Sequence, residues 1–418
     1  PQLTAARGVG EGVDVDTDPG AGQRSHGASL PQPGHNPAGA GVAPDVQIWE
    51  SVVIGAGQAG LSTSYHLRRL GVEHVVLDAD ERPGGAWQHR WDSLTMADVH
   101  GVADLPDAPA PGRGDEPANQ VIASWFDEYE QAQELPVLRP VRVDAVTDED
   151  GLLVVRSGGR SWTSRTLVNA TGTWTHPFVP TYPGQRDFAG EQWHTVSYPG
   201  REHFAGMRVL VVGAGASAVQ LIGEIATVAD VVWATRRPPR WSDGDFSGRA
   251  AITAVQERLD AGLPPGSVVS VTGLHLRPQE EAAARTGVYD RRLPIFERLE
   301  RDGARWADGR LERVDAIVWA TGFRPALRHL APLGLRGPRG GIPLRRGGSD
   351  VQTTVTSVLD PRVQLVGYGP SASTIGGNRA GRAAARAVRD RLDAELTEVS
   401  APRRASARPA AGPRPSSP

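Results

Sequence analysis

Two short glycine-rich stretches carry the residues most able to do chemistry. In SVVIGAGQAGLSTSYHLRRL, Gly55, Gly57 and Gly60 form G-x-G-x-x-G; in MRVLVVGAGASAVQLI, Gly213, Gly215 and Ala218 form G-x-G-x-x-A. The first glycine permits a tight turn, the second lets a pyrophosphate approach the backbone, and the third small residue lets a helix pack on a strand. The intervening residues, Gln58 and Ala59 in one turn and Ser217 in the other, open a helix whose free N–H groups and positive dipole end favour phosphate. Asp78, 18 residues beyond Gly60 at the end of the next apolar run, is placed to accept hydrogen bonds from a ribose diol. The run after the second turn ends instead in Thr235, Arg236 and Arg237. A carboxylate there would repel a 2′-phosphate, whereas two guanidiniums would bind it, so the second turn is expected to prefer NADPH over NADH. Two dinucleotides on one chain imply electron transfer between them, which predicts FAD at the first turn and NADPH at the second.

The elements that must hold these turns are legible around them. A β-rich run, Ser51 to Ile54, precedes the first turn, and Leu61, Tyr65 and Leu67 to Leu70 follow at helical spacing. EHVVLDA reads as the next strand, and NQVIASWFDEYEQAQEL places Val121, Ile122, Trp125, Phe126 and Tyr129 on one helical face. The stretch from Val141 to Gly172 reads as an antiparallel meander returning to the sheet. A second strand, turn, helix and strand start at Met207, and RVDAIVWATGFRP, RVQLVGYGP and the helical NRAGRAAARAVRDRLDAEL close the folded part. Residues 241–310 are poorly periodic. Residues 1–45 and 399–418, rich in Gly, Pro and Ala, are expected to be disordered. The fold class is therefore α/β with two Rossmann-like dinucleotide-binding domains: an FAD domain over 46–185 and 315–398, and an NADPH domain inserted at 186–314.

Absences bound the mechanism further. The 418 residues include no cysteine, which excludes a redox-active dithiol, a thiolate nucleophile, an iron–sulfur cluster and a disulfide framework. All 45 basic residues are arginine, so there is no Schiff-base lysine and no phosphate-loop lysine. A net charge of -3 shows no nucleic-acid footprint, and no apolar run is long enough to span a membrane. The expected setting is the cytoplasm and the expected partners are small molecules. His275, Arg277, Arg285, Arg291 and Arg292 show no metal-ligand spacing and read as surface residues, so no metal is expected.

Together these segments resemble the class B flavin-dependent monooxygenases, a group that includes flavin-containing monooxygenases, N-hydroxylases and Baeyer–Villiger monooxygenases. The resemblance spans about Ser51 to Leu396. GGAWQHRWDSL, from Gly84, looks like the group's G-G-x-W segment and implies that Gly85 and Trp87 lie against the flavin. FAGEQWHTVSYP fits F-x-G-x-x-x-H-x-x-x-Y/W through Phe188, Gly190, His194 and Tyr198. NATG, with Thr171, and ATGF at Ala320 look like the group's paired strand ends at the crossings between the two domains. His194 is expected to tie the interdomain linker to the NADPH side. Asp98, the candidate catalytic or nicotinamide-positioning residue, falls where Baeyer–Villiger enzymes carry an aspartate that positions nicotinamide, yet Asp92, Ser93 and Leu94 replace their aromatic-Pro-Gly, and LVGYGPSAS lacks the acid that many two-dinucleotide flavoproteins use to bind the ribityl chain. The resemblance implies an NADPH-using FAD monooxygenase that adds one atom of O2 to a small substrate through a C4a-peroxyflavin, at a nucleophilic N or S. Oxygenation of a ketone and a flavin reductase or oxidase stay open as alternatives.

Overall fold

The computed structural model describes residues 47–99, 102–239, 276–345, 355–372 and 374–400, together with residues 241, 257, 261, 263 and 274. The two stretches expected to be disordered lie outside these residues except for residues 399 and 400, which the closing helix includes.

Each glycine turn grows from a sheet. In the first, β1 (Ile48–Ile54) is followed by α1 (Gln58–Arg69) and β2 (His74–Leu77). Helix α2 (Ala118–Ala132) then leads to β3 (Val137–Leu138) and the meander β4 (Ala145–Glu149), β5 (Leu152–Ser157) and β6 (Arg160–Asn169). The order is β3-β2-β1-β6-β5-β4, parallel from β3 to β6 and antiparallel beyond. Ser51 to Ile54 and all of β2 are buried, the near-continuous apolar pattern of parallel strands covered on both faces.

The second sheet holds β7 (Glu191–His194), β8 (Arg208–Val212) and β9 (Asp230–Thr235), with α3 (Ala216–Ile225) between the last two. After the short α4 (Pro278–Ala284), β10 (Leu293–Pro294) joins its edge, and β11 (Arg298–Glu300), β12 (Gly303–Arg305) and β13 (Leu311–Arg313) form a small antiparallel sheet of their own. Strand β14 (Ala316–Trp319) sits between β8 and β7, giving the parallel order β10-β9-β8-β14-β7. The chain was expected to rejoin the first sheet from residue 315; instead β14 completes the second, because its four buried residues pair with β8 on one side and β7 on the other. The return comes with β15 (Val363–Leu365), which pairs with β6, and with α5 (Thr374–Ser400).

Helix α5 reaches α1 closely because its facing residues are small: a Cβ on Gly381 would lie 2.8 Å from Thr63 N, and one on Gly377 would touch Ala59 at 3.4 Å. Among the described residues no helix is long and apolar enough to cross a membrane.

Candidate functional site

The register of each sheet places a second strand end beside each glycine turn. Ile54 pairs with Asn169, so Gly55 lies against Ala170; Val212 pairs with Trp319, so Gly213 lies against Ala320. The hydrogen bonds repeat. Gly55 N donates to Leu77 O (2.8 Å) and Ala170 N to Ile54 O (2.8 Å); Gly213 N donates to Ala234 O (3.1 Å) and Ala320 N to Val212 O (2.9 Å). Both opening glycines have positive φ, +101° and +142°, and a Cβ on either would meet a carbonyl oxygen, Ala170 O at 2.6 Å or Ala320 O at 2.2 Å. Glycine is required at both.

The middle glycines differ from these. Gly57 and Gly215 are extended N-cap residues with φ of -77° and -101°, and a Cβ on either would meet nothing within 4 Å. Neither α1 nor α3 has a side-chain cap or an acid in its first turn. Their first N–H groups are therefore presented beside open space, the arrangement that accepts a phosphate. A Cβ on Gly60 would sit 1.9 Å from Gly55 O, so helix and strand touch there, whereas Ala218 carries its Cβ fully buried.

Asp78 lies at the end of β2, as the spacing predicts; it is also buried, and part of its capacity goes to the protein itself. Its carboxylate accepts from Ala56 N (2.5 Å) inside the first turn and from Asp80 N (3.0 Å), and Arg139 Nε approaches to 3.6 Å. Arg139 in turn forks onto Glu130 at 2.5 and 2.6 Å. The second turn has no acid and is braced by Trp233, whose indole N–H donates to Gly213 O (2.7 Å). Thr235 is buried; Arg236 and Arg237 are exposed beside it. Arg292 joins this strand end by donating to Thr235 Oγ1 at 2.9 Å, a contact across 57 residues that no local pattern reveals.

Gly85 and Trp87 follow the first turn in space. Gly85 has φ +50°, and a Cβ there would stand 2.8 Å from Gly57 Cα. Trp87 is half-buried, with the Arg90 guanidinium 5.6 Å from its ring. Gln58 donates to Ala103 O (2.6 Å), and Ala59 faces Gly367 and Gly377. Ser217 is half-buried in the first turn of α3. Thr171 donates to Ala326 O (2.7 Å), fastening the end of β6.

The two strand ends meet. Trp174, beyond β6, stacks on Phe323, beyond β14, with ring centroids 5.1 Å apart. Phe178 N donates to Gly322 O, Arg324 N to His176 O and Ala326 N to Gly172 O. His194 lies in this crossing: Nε2 donates to Gly322 O (3.1 Å), Nδ1 accepts from Val196 N (3.3 Å), and burial lowers its pKa, so the ring is a neutral tie. Nearby His329 pairs with Asn169 Oδ1 at 2.7 Å and burial pushes it down to about 4.

A third connection was not foreseen. Glu224 on α3 is buried and accepts from Trp91 Nε1 (2.7 Å), Ser93 Oγ (2.7 Å) and Tyr198 OH (3.2 Å), and burial raises its pKa. The segment after Gly84 is thus pinned to the second nucleotide-binding unit. Asp98 lies on the same segment; Thr95 Oγ1 donates to its carboxylate (2.7 Å) and Gln220 to its carbonyl (3.1 Å), which holds it against α3. Arg277, expected at the surface, is buried, its backbone N–H capped by Glu280; His275 lies outside the described residues. Among the described residues no acid, histidine or cysteine cluster could hold a metal.

A family model described as pyridine nucleotide-disulphide oxidoreductase matches residues 52–268. A flavin-containing monooxygenase from Stenotrophomonas maltophilia is similar in structure, with a TM-score of 0.71 and 37% identity over 83% of this chain and 100% of that one. An uncharacterized oxidoreductase CzcO from Bacillus velezensis is 25% identical over 73% of this chain and 90% of its own length. The indole-3-pyruvate monooxygenase YUCCA1 of Oryza sativa subsp. japonica is 28% identical over 66% and 76%.

Proposed function

The chain belongs to the class B flavin-dependent monooxygenases, and from that premise we propose that it uses NADPH and FAD to place one oxygen atom of O2 on a nucleophilic N or S of a small organic substrate. The observation that carries this reading is the meeting of the strand ends: Ala170 to Trp174 and Ala320 to Phe323 buttress the two open turns and pack on each other. Two dinucleotides bound at such turns would bring their reactive rings to one crossing.

Gly55, Gly57, Gln58, Ala59 and Gly60 would receive the FAD pyrophosphate on the start of α1, and Asp78, already ordering that turn through Ala56, would face the ribose. Gly85, Trp87 and Thr171 would border the flavin. Gly213, Gly215, Ser217 and Ala218 would receive the NADPH pyrophosphate, with Thr235, Arg236 and Arg237 at the 2′-phosphate. The two units would be residues 46–185 with the returning segment, and the inserted unit extended through β14. FAD, when bound and reduced by NADPH, supplies the activation of O2, which side chains cannot provide. The residues of the chain bind, orient and exclude water: neutral His194 ties the crossing, buried Glu224 pins the Trp91 segment to α3, and Trp87, Trp174 and Phe323 wall the crossing. Asp98, held against α3 by Gln220, would position the segment that faces the nicotinamide.

The test supplies FAD-loaded protein with NADPH and 18O2 and offers thioanisole, a tertiary amine and cyclohexanone. The reading expects one labelled atom in sulfoxide or N-oxide. Label in a lactone would establish the ketone-oxygenating alternative, and peroxide equal to the NADPH consumed, with no labelled product, would establish an oxidase.

A further inference from the structure

Arg90 lies at the crossing between two tryptophans, and the proposed function gives it no task. It follows the G-G-x-W segment in a chain of turns, with Trp87 N donating to Gly84 O and Arg90 N to Trp87 O, both at 3.0 Å. Its carbonyl accepts from Asn119 (3.0 Å), and the next residue, Trp91, is pinned by Glu224. Its place is therefore set by its neighbours rather than by its own charge.

The guanidinium lies between two tryptophans, 4.4 Å from the Trp174 ring centroid and 5.6 Å from that of Trp87. Its Nε is buried and makes no hydrogen bond, and among the described residues no carboxylate pairs with it. The nearby acids are engaged elsewhere. Asp80 takes His89 and Gln88, Asp92 takes Asn119, and Glu224 takes Trp91, Ser93 and Tyr198. Desolvation lowers the pKa of the half-buried Arg90 to about 10, and among the described residues no carboxylate offsets it. Such a group is costly unless an anion completes it, and a planar guanidinium fits a carboxylate through two parallel N–H bonds. The walls are aromatic: Trp174 stacks on Phe323, and His194 meets Phe323 edge-on at 5.2 Å.

We propose that Arg90 is the substrate anchor of this crossing: it binds the carboxylate of an organic acid whose flat, aromatic body lies along Trp174 and Phe323. The proposal rests on the oxygenase reading for what happens next, but not for the binding itself. Phosphates of the cofactors have the two glycine turns and the Arg236 pair, so Arg90, set between the tryptophans, is available to the molecule to be oxygenated.

The test is calorimetric titration of the oxidised FAD-loaded protein with 4-(methylthio)benzoate and with thioanisole, which differ by the carboxylate. The carboxylate should bind at least about tenfold more tightly to the unaltered protein, as expected for a charge-assisted pair. In Arg90→Met, which keeps an apolar stem between the tryptophans, the preference should fall below about twofold while FAD content and the Michaelis constant for NADPH stay within about twofold. Equal binding of both probes to the unaltered protein would overturn the proposal, and that comparison stands even if the variant does not fold. A raised Michaelis constant for NADPH with the benzoate preference intact would assign Arg90 to a cofactor phosphate and overturn it too. Carboxylate binding without labelled product sinks the oxygenase reading alone; labelled product without carboxylate preference sinks this one alone.

Discussion

The two glycine turns have the same backbone and different surroundings. Each opens with a left-handed glycine bonded to the neighbouring strand, each is buttressed by the alanine ending a second strand, and each leaves its middle glycine facing open space. Beyond that they diverge. The first turn is tightened by Gly60, braced by Asp78 and covered by Gly85; the second tolerates Ala218, is braced by Trp233 and ends in exposed Arg236 and Arg237. A turn folded over by its own chain suits a cofactor that stays, and one with an exposed cationic edge suits a cofactor that comes and goes.

The largest way to break this comparison lies at the third position. Gly60→Val should destabilise the protein by about 3 kcal/mol or more, because its Cβ falls on Gly55 O. Ala218→Gly should cost only about 1 kcal/mol in helix propensity, plus a methyl contact. Thermal melts with flavin-to-protein absorbance ratios measure both; equal losses would erase the asymmetry.

Next in size, Arg236→Ala with Arg237→Ala should raise the Michaelis constant for NADPH by roughly ten- to a hundredfold and that for NADH by less than about twofold. Both side chains are exposed, so the melting temperature should hold. Parallel increases for both nucleotides would remove the 2′-phosphate from this strand end.

The smallest effect is a pH slope. Burial raises the pKa of Glu224, so the folded protein holds that proton more tightly than the unfolded chain. Stability from this group falls as pH rises from the unfolded carboxyl value, about 4.3, through the higher folded value. Glu224→Gln should therefore flatten the decline of the melting temperature that sets in above about pH 4.3 in the unaltered protein. An unchanged slope would mean that the three donors around Glu224 keep it charged throughout.

The turns were legible because strand, turn and helix are contiguous, and the steric need for Gly55 and Gly60 is written into local spacing. Asp78 was legible as a position, but not its bond to Ala56 N or the approach of Arg139, which depend on how β2 and β3 lie beside the turn. Glu224 was missed because its partners Trp91 and Ser93 lie 133 and 131 residues away, and a glutamate within a helix carries no local mark of burial. Arg90 was hidden for the same reason: Trp174 reaches it only through the return of β6. The misplaced boundary at 315 arose because a four-residue apolar strand such as β14 fits either sheet until its pairing is known.

The most direct test of two turns with two occupants puts bulk at the two open glycines, Gly57→Val and Gly215→Val, where the protein itself leaves room. Each purified variant is assayed for bound flavin and then for loss of the yellow colour on adding NADPH without air. The Gly57→Val protein should fold but hold no flavin, and the Gly215→Val protein should be fully yellow and resist bleaching at NADPH concentrations that reduce the unaltered enzyme. A yellow Gly57→Val protein, or a Gly215→Val protein bleached as readily as the unaltered one, would contradict two turns with two occupants.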